Sequence, residues 1–345
     1  MRHTARLPVL ALVTVGMALG LTELGVPSPA LFAGLLTGML HALLTGRELH
    51  PPPHLFTASQ GVVGVVMGCL VQPATLAALV SYWLPVLLVT LSTLALTVLA
   101  GLLLARVTAV DRTTAAFGMI AGGASGIIAL SDDLGADARI VAVLQYLRIL
   151  VIVLLMPLAV AVVFAGGPAG AQEGAAPSGA WPLAVLTVAA LVLVGTTLGR
   201  LVRLPAPGLL GPLLVTAPLA GLDLPFTDAV PGLLQSAAFA VLGAQVGLRF
   251  TAASLRTVRR ILPVVLALVV TLVLANAGLG LLLSAATDIT PLDGYLATTP
   301  GGLYVVLAVA AEAGADSTVV LSIQVLRLLV MLLLAPVLAR WLLRS

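Results

Sequence analysis

Twelve apolar runs punctuate the chain, at 8–24, 29–45, 57–72, 82–105, 113–131 and 138–165, then at 181–199, 206–221, 231–248, 261–286, 295–311 and 317–343. About 20 apolar residues suffice for a helix to cross a bilayer, so each run is a candidate membrane segment. The few polar positions inside the runs recur. Gly122 to Pro157 reads GGASGIIALSDDLGADARIVAVLQYLRILVIVLLMP, and Gly301 to Pro336 reads GGLYVVLAVAAEAGADSTVVLSIQVLRLLVMLLLAP; with one offset of 179 residues, 15 of 36 positions agree. Shared apolar letters carry little information in such a chain. Shared Gly-Gly, Gly-Ala-Asp, Gln-x-x-Arg and late Pro carry more, and they point to an old duplication. Its copies are residues 1–165 and 181–345, joined by a Gly, Ala and Pro-rich linker at 166–180.

Composition strengthens the membrane reading. The 345 residues are 61% apolar and 8% charged, with a mean hydropathy of +1.20. A water-soluble surface needs far more charge. All 16 basic residues are Arg, dispersed among apolar runs, which excludes a basic face for nucleic acid. One Cys, Cys69, excludes an internal disulfide or a Cys-based metal site. Arg2 and Arg6 precede an apolar run as in a signal peptide, but the matching segment near Trp181 argues for a retained first helix.

Arginine placement sets the expected topology. Arg47, Arg106 and Arg112 share a side with Arg2 and Arg6 if the first four runs cross in turn. In the second copy Arg200, Arg203, Arg249, Arg256, Arg259 and Arg260 follow the alternate runs. Both sets are cytoplasmic only if the first copy crosses an odd number of times. The fifth run is the one expected not to cross, since it holds Gly122-Gly123 or Pro300-Gly301-Gly302. Of the 16 arginines, 14 are then cytoplasmic, and Arg148 and Arg327 are the exceptions. The expected fold is an all-α polytopic membrane protein of two inverted repeats. Each has about five transmembrane helices plus a Gly-broken or re-entrant segment, and both termini lie on the cytoplasmic side of an inner membrane. Six full crossings per copy is the competing topology.

Arg148 and Arg327 each fall about ten residues into the sixth run, roughly 15 Å deep at 1.5 Å per residue. Gln145 and Gln324 share their helical faces. One reading makes Arg148, Arg327, Gln145, Gln324, Gly122, Gly123, Thr299, Pro300, Gly301 and Gly302 a central binding site for a small anion. The other has each Arg held by a carboxylate or by carbonyls freed at the breaks. Asp133 and Glu312, matched between copies, are candidates for a coupling proton or cation. Asp137 and Asp316 are weaker candidates, since they stand where a helix N-cap belongs. Thr298 and Thr299 offer hydroxyls for an ion or for the freed carbonyls. No metal site, cofactor site or catalytic arrangement is legible. His50 and His54 flank Pro51-Pro52-Pro53, which cannot align them, and no phosphate-binding Gly-x-x-x-x-Gly-Lys is present.

At these residues the chain resembles the AbrB duplication membrane family, whose members are also described as ammonia monooxygenases or AbrB-type regulators. The resemblance rests on Pro27-Ser28-Pro29, Gly122-Gly123, Gly135-Ala136-Asp137 and Gln145 to Arg148, and on Pro205-Ala206-Pro207, Pro300-Gly301-Gly302, Gly314-Ala315-Asp316 and Gln324 to Arg327. It covers nearly the whole chain. Ala121 departs from the family's proline, and Tyr304-Val305 from its usual polar residue and Met. The resemblance implies kinship with cation–proton antiporters and anion transporters built of inverted repeats. A copper monooxygenase needs a ligand cluster that the membrane segments lack. The expectation is therefore a transporter without enzymatic activity, working on a small solute within the lipid bilayer and making no direct nucleic-acid contact. Abundant small residues allow a homodimer. The alternative is a non-transporting membrane protein that regulates gene expression.

Overall fold

A computed structural model describes residues 6–24, 28–46, 52–71, 82–120, 127, 131, 135–164, 181–204, 206–220, 230–252, 256 and 259–344. Among these residues there are thirteen helices and no strand. They are α1 (Arg6–Glu23), α2 (Pro29–Thr45), α3 (Pro53–Cys69), α4 (Trp83–Val107), α5 (Arg112–Met119), α6 (Ala138–Val163) and α7 (Trp181–Leu201). The rest are α8 (Pro207–Ala220), α9 (Gly232–Gly247), α10 (Leu262–Ala286), α11 (Pro291–Thr298), α12 (Leu303–Glu312) and α13 (Ser317–Arg344).

Local chemistry sets their ends. Proline opens α2, α3, α10 and α11, where a missing N–H costs nothing. The Asp111 side chain caps α5 through Thr114 N, and Thr290 caps α11 through Asp293 N. Among the described residues, four helices are long and apolar enough to cross a membrane: α4, α6, α7 and α10. The outer faces of α4, α7 and α10 carry exposed Leu88 and Leu99, Leu186 and Leu193, and Leu274 and Leu282, a surface suited to lipid rather than water. By contrast α2, α8 and α9 have 17, 14 and 16 residues. At 1.5 Å per residue that is roughly 21–25 Å, short of a bilayer core of about 30 Å.

The chain packs as two compact units. One takes Met1–Thr75, Gly166–Thr251 and Leu307–Thr318; the other takes Leu76–Ala165, Ala252–Val306 and Val319–Ser345. Neither unit coincides with a sequence copy, because each draws on both. The expected boundaries at 165 and 181 divide the chain in sequence, whereas each compact unit takes segments from both sides of them.

In the first unit α2 lies against α9, and α3 against α8. The seams are glycine-lined. A Cβ on Gly243 or Gly247 would strike the carbonyl of Leu31 or Leu35, and a Cβ on Gly34 or Gly38 would strike that of Ala240 or Ala244. Rising numbers on α2 thus meet rising numbers on α9, so the two helices run parallel. The other seam repeats this with equivalent residues: Gly64 faces the Leu209 carbonyl and Gly68 that of Leu213. Backbones approach so closely only where no side chain intervenes.

In the second unit the equivalent helices α4 and α10 pack on each other, and in opposite directions. Tyr82, at the start of α4, donates its hydroxyl to Asp288 just beyond the end of α10. Val86, one turn into α4, shares a core with Leu283, Ala297, Val319 and Ile323. Each long helix also carries its own short one. Gly101 of α4 faces Ala116 of α5, and Gly280 of α10 faces Gly294 of α11.

Candidate functional site at two broken helices

The second unit contains the described break. Helix α11 stops at Thr298, where Pro300-Gly301-Gly302 prevents continuation, and α12 restarts at Leu303. A helix end leaves its last carbonyls without internal partners, and a buried end must find donors elsewhere. Tyr295 O accepts Thr299 N at 3.0 Å and the Thr299 hydroxyl at 2.7 Å. Leu296 O cannot be served by residue 300, because proline has no N–H. Gln324 Nε2 from α13 serves it instead at 2.9 Å, and also reaches Thr299 O at 3.1 Å. Arg327 Nη1 binds Thr298 O at 3.2 Å and Thr299 O at 2.9 Å. Its Nη2 donates to Gln324 Oε1.

The first copy repeats the arrangement on α5, without the second carbonyl that Arg327 Nη1 reaches. Gln145 Nε2 binds Phe117 O at 2.6 Å and Ile120 O at 2.7 Å. Arg148 Nη1 binds Met119 O at 2.7 Å, and Nη2 binds Gln145 Oε1 at 2.9 Å. Every pair corresponds to its counterpart through the 179-residue offset. The Gln-x-x-Arg motif is therefore a two-pronged clamp on the carbonyl end of a broken helix. Of the two sequence readings, carbonyl capture is the contact made. Among the described residues no carboxylate is paired with either guanidinium.

Both arginines are buried, Arg148 at 2% and Arg327 at 4% exposure. Their charge is compensated in part by the negative end of the short helix each one clamps. One donor on each guanidinium, Nε, is buried without a partner. Opposite the second break, Gly301 approaches Ile152 and Gly302 approaches Ile149 on α6, flanking Arg148 along that helix. The break of one copy therefore lies against the arginine helix of the other. Met331, the counterpart of Ile152, is fully buried in a cluster with Phe117, Ile120, Ile127 and Val141.

The other sequence candidates separate. The Thr298 hydroxyl donates to Asn276 O of α10 at 2.8 Å and the Thr299 hydroxyl to Tyr295 O at 2.7 Å, so both are engaged by backbone carbonyls. Asp137 caps α6 through Arg139 N at 2.9 Å and Ile140 N at 3.2 Å. Asp316 accepts from Thr318 N at 2.9 Å at the start of α13. Glu312 caps nothing on its own helix. It accepts the backbone N–H of Ser28, the residue before α2. Gly122, Gly123 and Asp133 lie outside the described residues. Among the described residues no three of His, Cys, Asp and Glu come together as a metal site. The sequence reading did not find the carbonyls of Phe117, Ile120, Leu296 and Thr299 or the turn at Ser28. The signal was there in part, since a helix-breaking pair followed 23 residues later by Gln-x-x-Arg occurs in both copies.

Comparison with known proteins bears on this arrangement. The family described as "Transition state regulatory protein AbrB" matches residues 30–343. The chain is 30% identical to the "Putative regulator AbrB" of Escherichia coli (strain K12) over 333 residues, 96% of this chain and 95% of the relative. It is 27% identical to an uncharacterized protein, YhjN, of Bacillus subtilis (strain 168), over 80% of this chain and 76% of that one. The chain belongs to the AbrB family.

Proposed function

We propose, with AbrB membership as the premise, that this chain is an inner-membrane secondary transporter, not an enzyme. Its solute is a small anion, coupled to protons or sodium. The observation that carries the reading is the pair of matched short-helix ends, those of α5 and α11, gathered in one compact unit and clamped by buried arginines. Transporters of this kind place discontinuous helices where the solute binds, because helix ends present unspent backbone dipoles. Here the carbonyl ends are occupied by the clamps. The unspent donors are the guanidinium Nε groups and the first N–H groups of α12, a combination suited to negative charge.

Helix directions support an inverted relation between the copies. If each copy crosses the membrane an odd number of times, its second and third helices run opposite to their counterparts in the other copy. Then α2 and α9 must be parallel, as must α3 and α8, and α4 and α10 must be antiparallel. All three relations are those of the packing. A parallel duplication requires the opposite in each case. The termini are then both cytoplasmic.

The family description and the Escherichia coli relative's name favour a second reading, a membrane protein acting on gene expression without transport. A thermal-stability screen of the purified protein in detergent against small anions and cations separates the two. A bound solute at 100 times its Kd stabilises by about 2.7 kcal/mol. The transporter reading expects stabilisation by one class of anion, lost in Arg148→Gln and Arg327→Gln. Anion shifts unchanged in both variants would remove the arginines from the site. No shift with any solute, and a transcriptional defect of a gene deletion rescued by Arg327→Gln, would favour regulation.

A further inference from the structure

Glu312 stands apart from the other carboxylates near the breaks. Asp137 and Asp316 are committed to helix caps. Glu312 ends α12 and reaches across to the start of α2, where it accepts the Ser28 N–H. Ser28 is fully buried, with φ 55°. That left-handed conformation is unusual for a residue with a side chain. Ala206, the counterpart before α8, has φ 52°, so the strain belongs to the Pro-x-Pro turn of both copies. The hydroxyl does not, since Ala206 has none. Ser28 Oγ, on the residue whose N–H the carboxylate holds, is buried without a hydrogen-bond partner. Burial and Ser28 are what act on Glu312. Among the described residues no charged side chain on α2 or in the turn after α12 acts on it.

We propose that Glu312, with Ser28, is the site that binds the coupling proton. This rests on the transporter reading above. Ionised, the carboxylate is an acceptor only and takes the Ser28 N–H. When one proton binds Oε2, the group becomes a donor, the charge-assisted bond to the N–H is lost, and Ser28 Oγ is the waiting acceptor. One buried hydroxyl therefore serves the state in which the amide bond is broken. A proton suits the site better than sodium, because an N–H aimed at the carboxylate repels a metal cation. The consequence falls on α12, the helix within which the chain passes from the second unit to the first, between Val306 and Leu307. Neutral Glu312 holds its end to α2 less tightly.

The test is hydrogen–deuterium exchange of the first turn of α2, corrected for intrinsic rates, as a function of pH in lipid nanodiscs, with protons as the sole ligand. Wild-type protein is expected to exchange there about tenfold faster, or more, once Glu312 is neutral, the loss of one hydrogen bond to a charged group. Glu312→Gln should make the rate independent of pH. Glu312→Asp should keep the dependence with a shifted midpoint, and Ser28→Ala should move the midpoint down in pH while keeping the N–H bond, because the neutral acid loses its acceptor. Pro-x-Pro with Ala is tolerated at 205–207, so Ser28→Ala is expected to fold. A pH dependence that survives in Glu312→Gln, or its absence in wild type, overturns the proposal. Because protons alone are the probe, failure here leaves the anion test standing, and failure of the anion test leaves this result standing.

Discussion

Replacing Gln324 by leucine removes the amide prong of the better-described clamp. Two bonds from Nε2 are lost, to Leu296 O and Thr299 O. Their consequences differ. Thr299 O keeps Arg327 Nη1 at 2.9 Å, so it loses an ordinary net bond of about 0.5–1.5 kcal/mol. Leu296 O keeps nothing, because Pro300 has no N–H to offer, and a stranded buried carbonyl costs about 1–3 kcal/mol. Arg327 Nη2 also loses its acceptor, a charge-assisted bond of about 1.5–3 kcal/mol. Together these reach roughly 3–7 kcal/mol, and burial of the leucine side chain returns about 1–2 kcal/mol. Gln324→Leu is therefore expected to destabilise the protein by about 1–6 kcal/mol, read by reversible denaturation in mixed micelles. A loss below about 1 kcal/mol would mean that water reaches Leu296 O, and the argument from a dry clamp would be refuted.

Three further outcomes follow from the packing. Gly243→Ala drives a Cβ into the Leu31 carbonyl and should cost at least about 1–3 kcal/mol by overpacking, whereas Gly278→Ala, with nothing within 4 Å, should gain about 0.5–1 kcal/mol; equal effects in micelle denaturation would contradict the parallel seam. The Tyr82 hydroxyl, bonded to the Asp288 carboxylate, is raised above its ordinary 10.0. Its contribution is full below pH 10.0 and fades as pH rises through the raised value, so wild-type and Tyr82→Phe stabilities should converge in strong alkali; a gap that widens there would refute the bond. Asp137→Ala removes the α6 cap and should cost about 0.5–2 kcal/mol, and unchanged thermal stability would show that another group takes over.

Much of this arrangement is readable from the chain. The apolar runs locate the helices to within a few residues. Pro300-Gly301-Gly302 locates the break, since proline forbids the bond that would continue α11. Asp137 and Asp316 read as caps from their places after Gly-Ala. What the arginines touch was not readable. Guanidinium binds carboxylate, anion and carbonyl alike, and sequence spacing does not choose among them. The choice is made by Leu296 and Thr299, whose carbonyls are invisible in a string of side chains. The mixing of copies within each unit was equally hidden. It depends on Gly34, Gly64, Gly243 and Gly247, and an abundance of glycine in an apolar chain points at no particular partner.

The parallel seams also set an order of events during synthesis. Leu31 waits for Gly243, and Gly64 waits for Leu209, so each seam closes only after roughly 145–210 further residues are made. At about 5–20 residues per second this is roughly 7–40 s. On the transporter reading, α2 and α3 face lipid with their glycine grooves open throughout that interval. A first copy made alone has nothing to close them. Two copies made as separate chains in one membrane carry everything the seams require.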